Sequence, residues 1–246
     1  MYFQMSIEAK KVKQLWVGDS HLLPHHFVPT AYQKLIEKFP VDGARFSETP
    51  DLSGLRGGRQ ATFGWFDQLC RLVSTQGSLP FCLVICIGSN NLRKARHPDT
   101  LADLEEMMLQ LVTTVNKTSN GTMVVVSPIP DDHGNTDSIG EELDQRWHRV
   151  VVNHAESGRV RYAQFRRKCL PHNHGPTRFA SHLFQDDVHL NSKDAKLLAK
   201  TIFRTQTQFS NRIFGFTNNK IGKREKSKST QIANTGVDPT SDRNNN

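Results

Sequence analysis

The run FCLVICIG, residues 81 to 88, constrains the fold more than any other stretch of the chain. It is continuously apolar and rich in β-branched residues, with no polar residue alternating between them. A strand with one wet face alternates, whereas a strand covered on both faces does not. The run therefore predicts a strand inside a parallel sheet with helices on both sides. A second such run, TMVVVSPIP at residues 122 to 130, is halted by Pro128 and Pro130. Parallel neighbours need a crossover between them. The sequence supplies one over residues 99 to 117, where Leu101, Leu104, Met108, Leu111 and Val115 recur at helical spacing.

The same alternation extends over the rest of the chain. Residues 12 to 17 read as a first strand and 29 to 39 as a short amphipathic helix. Residues 42 to 46 read as a second, edge strand. A glycine-rich loop, LSGLRGGRQATFG, then leads into a helix from 65 to 74. Residues 139 to 154 read as helix, 159 to 162 as a weaker fifth strand, and 192 to 205 as the last helix. Asn191 caps that helix, with Asp194 placed to reach back. Alternating strands and helices predict the α/β class with a mostly parallel five-stranded sheet. We place one domain at residues 12–215, after a leader at 1–11 that is in part a tag remnant. Residues 216–246 form a polar, basic tail with too little apolar content to build a core.

The formal net charge is +8, and KIGKREKSK, residues 220 to 228, carries five basic residues against one acidic. That balance favours polyanionic partners, nucleic acid or an anionic membrane surface, or else a solvated basic surface. Arg161, Arg166, Arg167 and Lys168 read either as a phosphate-contacting stripe or as a solvated edge. Four cysteines (Cys70, Cys82, Cys86 and Cys169) show no paired spacing. Cys82 and Cys86 lie in the apolar run and read as small buried hydrophobes, which fits a reducing compartment. Residues 1 to 14 lack the apolar core of a signal peptide, and no run is long enough to span a bilayer. The expectation is an intracellular protein, cytoplasmic or nuclear, with no transmembrane segment.

In open parallel sheets, ligands bind beyond the carboxyl ends of the strands. Four polar segments are placed to converge there. Gly18-Asp19-Ser20 leaves the first strand, and the Gly57-Gly58 loop follows the second. Gly88-Ser89-Asn90 leaves the third, and Asp186-Asp187-Val188-His189 precedes the last helix. Taken alone, Ser20 reads as a helix cap before it reads as a nucleophile. Taken with the others, it has the partners that acyl transfer requires. His189 can take the hydroxyl proton as general base, and Asp186 can fix its tautomer. The backbone N–H of Ser20, a backbone N–H at Gly58 and the amide of Asn90 make a three-donor oxyanion hole.

These blocks, VGDSHL, the Gly57-Gly58 loop, IGSNNL and DDVHLN, resemble in order the four conserved blocks of the SGNH (GDSL-type) hydrolases. The resemblance spans about residues 12 to 205. It implies a three-layer, flavodoxin-like α/β/α sandwich and a serine esterase that needs no metal and no cofactor. By carry-over, Ser20 is the nucleophile, Asp186 and His189 complete the triad, and Ser20, Gly58 and Asn90 form the oxyanion hole. Gly57 is the alternative to Gly58. Asn91 stands where the family usually has aspartate, a loss read as minor. The first and last blocks are most similar to the esterase domains of LINE-type retrotransposon first-frame proteins.

The expected substrate is a small acyl ester, acetyl-like. The rival expectation is an RNA-binding module on the same fold, catalytic or not. His21, His25, His26, His172 and His174 lack a completing carboxylate or cysteine at ligand spacing, and Pro24 interrupts the first group. They are therefore read as lining the substrate mouth or lying on the surface, and no metal is expected.

Overall fold

A computed structural model describes residues 11–23, 27–39, 45–46, 50–56, 59–76, 79–92, 99–129, 137–154, 158–169 and 189–214. Its centre is the predicted strand. β3 (Phe81–Cys86) is buried at every position, as is β4 (Gly121–Val126). β1 (Lys13–Gly18) lies on the other side of β3, and β2 (Asp51–Leu55) and β5 (Val160–Ala163) form the two edges. The sheet order is β2-β1-β3-β4-β5, and all four strand pairings are parallel.

Period-two alternation along the strands divides the core in two. Trp16, Cys82, Val84, Cys86, Val124 and Val126 face a layer that holds α1 (Val28–Lys38) and the last long helix. Leu15, Val17, Leu83, Ile85, Met123 and Val125 face the other layer. That layer contains α2 (Phe63–Ser74), α4 (Asp99–Lys117) and α5 (Asp137–Asn153). Between β3 and α4 lies a single short turn of helix, α3 (Ser89–Leu92). α6 (Arg166–Cys169) follows β5, and α7 (Ser192–Thr207) closes the first layer. Both faces of the sheet are thus dry, and each fully buried large apolar side chain contributes roughly 1.5–3 kcal/mol. The expected α/β/α sandwich with five parallel strands is what forms.

Two readings need correction. The edge strand is Asp51–Leu55, not residues 42 to 46. Of the latter, Phe46 makes one isolated bridge to Val12, and 42 to 44 lie outside the described residues. Part of the supposed glycine loop is therefore strand. Gly54 serves close packing there, since a Cβ would come within 2.5 Å of Val17 Cγ1. Arg166 is not part of a surface stripe. It is 1% exposed, and its guanidinium fills the space beside Gly140, where a Cβ would meet it at 2.7 Å, with Glu141 3.8 Å from Nε.

Trp65 and Phe66 are core aromatics as read, and Asn191 caps α7 by accepting from the N–H groups of Lys193 and Asp194. Among the described residues, no helix is long and apolar enough to cross a membrane.

Candidate active site

The chain runs from β1 outward to β2, then returns to the other side of β1 as β3. The order of strands therefore reverses between β1 and β3, the place beyond whose carboxyl ends open parallel sheets bind their ligands. Gly18 pairs with Cys86 at that end. Gly18 has φ +141°, and a Cβ on it would lie 1.8 Å from the Cys86 carbonyl oxygen. Only glycine lets β1 turn so close to β3. Gly88 likewise has φ +106°, with a Cβ position 3.1 Å from the Trp147 ring. The two neighbouring strands leave the sheet through these glycines, and Ser20 and Asn90 each follow two residues later.

Ser20 opens a 3-10 turn, Ser20–Leu22, that precedes α1 rather than belonging to it. The cap of this turn is Asp19, whose carboxylate accepts from the His21 N–H at 3.2 Å. That frees the Ser20 hydroxyl from capping. Ser20 Oγ instead lies 3.0 Å from His189 Nε2, across 169 residues of sequence. Ser20 is 9% exposed, and His189 is half-buried just ahead of the α7 cap. His21, expected at the mouth or surface, is 2% exposed, and its ring stands 5.9 Å from that of His189 at 60°. It packs against the imidazole, not against solvent.

In the turn after β3, Asn90 Nδ2 donates to the Arg59 carbonyl at 3.0 Å, and Gln60 Nε2 donates to the Asn90 carbonyl at 3.3 Å. One of the two Asn90 amide hydrogens is thereby engaged. The other is uncommitted among the described residues, as a donor to a ligand oxygen must be. Asn91 makes a two-way pair with Ala61, accepting its N–H at 2.8 Å and donating to its carbonyl at 2.9 Å. Arg59 places its guanidinium 5.2 Å above the Trp65 ring. Burial and the nearby Arg56 both lower the proton affinity of that guanidinium.

Of the residues expected at the site, the structure brings Ser20 and His189 together and places Asn90 in the turn that leaves the neighbouring strand, bonded to Arg59 and Gln60. Gly57, Gly58 and Asp186 lie outside the described residues, as do His25, His26, His172 and His174. Among the described residues, no three His, Cys, Asp or Glu side chains gather as metal ligands. Two contributors escaped the sequence reading. Asp19 was passed over as the cap beside a more obvious serine, and Asn91 was set aside as a minor departure. The signal for the second was already there, since exchanging Asp for Asn changes an acceptor into a donor and an acceptor.

No protein-family model and no curated protein matches the sequence. Solved structures do match the fold. A carbohydrate esterase family 3 protein from Talaromyces cellulolyticus aligns with TM-score 0.59 and 17% identity, over 84% of this chain and 100% of the other. A catalytic mutant of an acetylxylan esterase from Geobacillus stearothermophilus aligns with TM-score 0.55 and 15% identity, over 83% and 98%. A member of the lipolytic G-D-S-L family from Veillonella parvula gives TM-score 0.54 and 12% identity, over 80% and 100%. With the β2-β1-β3-β4-β5 parallel order, these likenesses give the chain the fold of the SGNH (GDSL-type) hydrolases.

Proposed function

We propose that the protein is a serine esterase that hydrolyses a small acyl ester through an acyl-enzyme. The observation that carries this reading is the 3.0 Å contact between Ser20 Oγ and His189 Nε2 at the strand-order reversal. A hydroxyl is a weak nucleophile until a base stands within hydrogen-bond reach of its proton.

In the first half-reaction, Ser20 Oγ attacks the acyl carbon as its proton passes to His189 Nε2. The carbonyl electron pair moves onto oxygen, where the Ser20 N–H, the free Asn90 amide hydrogen and a Gly58 (or Gly57) N–H receive it. Each such donor is worth about 3 kcal/mol in the transition state. Collapse of the adduct breaks the bond to the alcohol oxygen, which takes the proton back from His189. Water then attacks the acyl-Ser20 ester, giving its proton to His189, and the carboxylic acid leaves as Ser20 is reprotonated. Asp186 is assigned to the other imidazole nitrogen, holding the tautomer and offsetting the imidazolium charge.

A short, acetyl-like acyl group is proposed because two fold neighbours are described as acetylxylan esterases. Ser20→Ala is expected to abolish turnover of p-nitrophenyl acetate and labelling by a fluorophosphonate, with an unchanged circular dichroism spectrum. Retained turnover in that variant sinks the mechanism. A chain-length series of p-nitrophenyl esters tests the acyl preference, and a maximum at long chains rejects the acetyl-like substrate.

A second reading rests on the basic run of residues 220 to 228. It gives the tail an RNA or other polyanion contact, inside the cell, in addition to catalysis or in its place. A salt-dependent RNA shift that vanishes on removing residues 217–246, with no esterase activity in the intact chain, favours the pure binding module.

A further inference from the structure

Asn91 sits where the usual family block has aspartate, and its surroundings explain why this chain carries an amide. The side chain is 9% exposed and meets the backbone of a single residue, Ala61. A backbone N–H can only donate and a carbonyl can only accept. The partner must therefore present one acceptor and one donor side by side, as a carboxamide does. The neighbouring contacts extend this seam. Arg59 and Gln60 both bond to Asn90, at 3.0 and 3.3 Å, while the N–H groups of Asn91 and Leu92 both donate to the Gly88 carbonyl at 3.0 Å. Three consecutive residues directly after Gly57-Gly58 are thus tied to the turn that leaves β3.

Building on the esterase reading, we propose that Asn91 is the positioning residue of the oxyanion hole. It holds residues 59–61 against the turn that leaves β3, and so fixes the Asn90 amide that the Arg59 carbonyl engages. It touches no substrate. Aspartate at this position would keep the acceptor half of the pair. When ionised, it would also set a negative charge against the Ala61 carbonyl oxygen; when protonated, it would restore both bonds.

The test is Asn91→Asp, with Asn91→Ala as the uncharged comparison, assayed with p-nitrophenyl acetate on the full chain. At about pH 8 the Asp variant is expected to lose roughly tenfold to a hundredfold in kcat with KM nearly unchanged, because a misplaced donor acts on the transition state alone. Relative to wild type at the same pH, that loss should shrink by about tenfold at about pH 5.5, where a buried carboxyl regains its proton. The Ala variant should lose rate with no such pH dependence, and it carries the test if the Asp variant fails to fold.

Hydrogen exchange at the Ala61 amide, read without any substrate, should rise in the Ala variant, which loses the acceptor, and change little in the Asp variant, which keeps it. Wild-type kcat with unchanged exchange in the Ala variant overturns the proposal. So does an equal, pH-independent loss in both variants, which would make Asn91 a packing residue. If wild-type protein is not labelled at Ser20 by a fluorophosphonate, the esterase reading falls and the positioning role falls with it. Faster exchange at Ala61 would then mark Asn91 as structural only.

Discussion

Two polar clusters lie on the same pair of strands, at opposite ends. At the carboxyl end, beyond the Gly18–Cys86 pair, are Ser20 and His189. Near the amino end, Gln14 pairs in register with Cys82, four residues earlier on each strand, about 13 Å away at roughly 3.3 Å per residue. There Gln206 Nε2 donates to Gln14 Oε1 at 3.2 Å and to Cys82 Sγ at 3.4 Å, and Gln206 Oε1 accepts from the Tyr32 hydroxyl. Gln14, Tyr32, Cys82 and Gln206 are all fully buried.

Each cluster contains a side chain of nucleophilic type, yet only one is equipped to react. Cys82 has a thiol pushed up to about 11 by burial, amide neighbours in place of a base, and no route for a substrate. Ser20 has an imidazole within hydrogen-bond distance. Chemical type proposes a nucleophile; the neighbours decide whether it is one.

The largest expected effect separates the two ends by activity. Ser20→Ala should cost at least about 10⁴-fold in kcat while leaving the thermal midpoint nearly unchanged. A large loss of stability in that variant would blur the comparison, making Ser20 part of the packing. Gln206→Leu should do the reverse. It removes one buried hydrogen-bond partner from each of Tyr32 and Gln14, at a cost of about 1–3 kcal/mol in urea unfolding, with kcat little altered. Should kcat collapse while stability holds, the two ends are coupled and the division fails.

Thiol chemistry gives a finer distinction. In the native protein, iodoacetamide near neutral pH should modify half-buried Cys70 well before Cys82 or Cys86, whose thiols burial holds protonated. Mass spectrometry of the first-modified peptide checks the order, and early modification of Cys82 would break the contrast.

The smallest expected effect concerns a third buried polar group. Burial raises the proton affinity of the Asp144 carboxyl more than its hydrogen bond from the Tyr162 hydroxyl at 2.7 Å lowers it. A raised folded-state value means that its stabilising contribution is complete below the unfolded value and is lost as pH rises through the folded one. Asp144→Asn keeps an acceptor for Tyr162 and removes the charge. Its thermal midpoint relative to wild type should therefore increase with rising pH and level off in acid. A constant difference across pH would show that Asp144 does not titrate with folding.

Much of the architecture was legible because burial imposes a period. The unbroken apolar runs became β3 and β4, and the helical spacing over 99 to 117 became α4 with the same limits. The edge strand was missed because Asp51–Leu55 is only half-covered, so its composition follows solvent and close packing more than a sheet pattern. Its ladder comes from β1, with a register irregularity between Leu15 and Val17 that no local pattern announces. Arg166 was misread for a related reason. A run of basic residues looks solvated, and the pocket that receives one of them is made by Gly140 on another helix.

At the site, residue types and their order along the chain singled out Ser20, Asp186, His189, Gly58 and Asn90 as candidates, because acyl transfer requires a nucleophile, a base, its orienting carboxylate and oxyanion donors. What sequence could not supply was which side chains meet. That depended on the reversal of strand order between β1 and β3, which brings a serine and a histidine 169 residues apart to 3.0 Å. It also depended on the seam between Ala61 and Asn91, which turns a one-letter departure from a family pattern into a specific hydrogen-bonded pair. By itself, the sequence determined the elements and the inventory of chemical groups, since periodicity and residue chemistry are local. The pairing of those groups was decided only by the tertiary structure, because hydrogen bonds depend on distances that chain order does not encode.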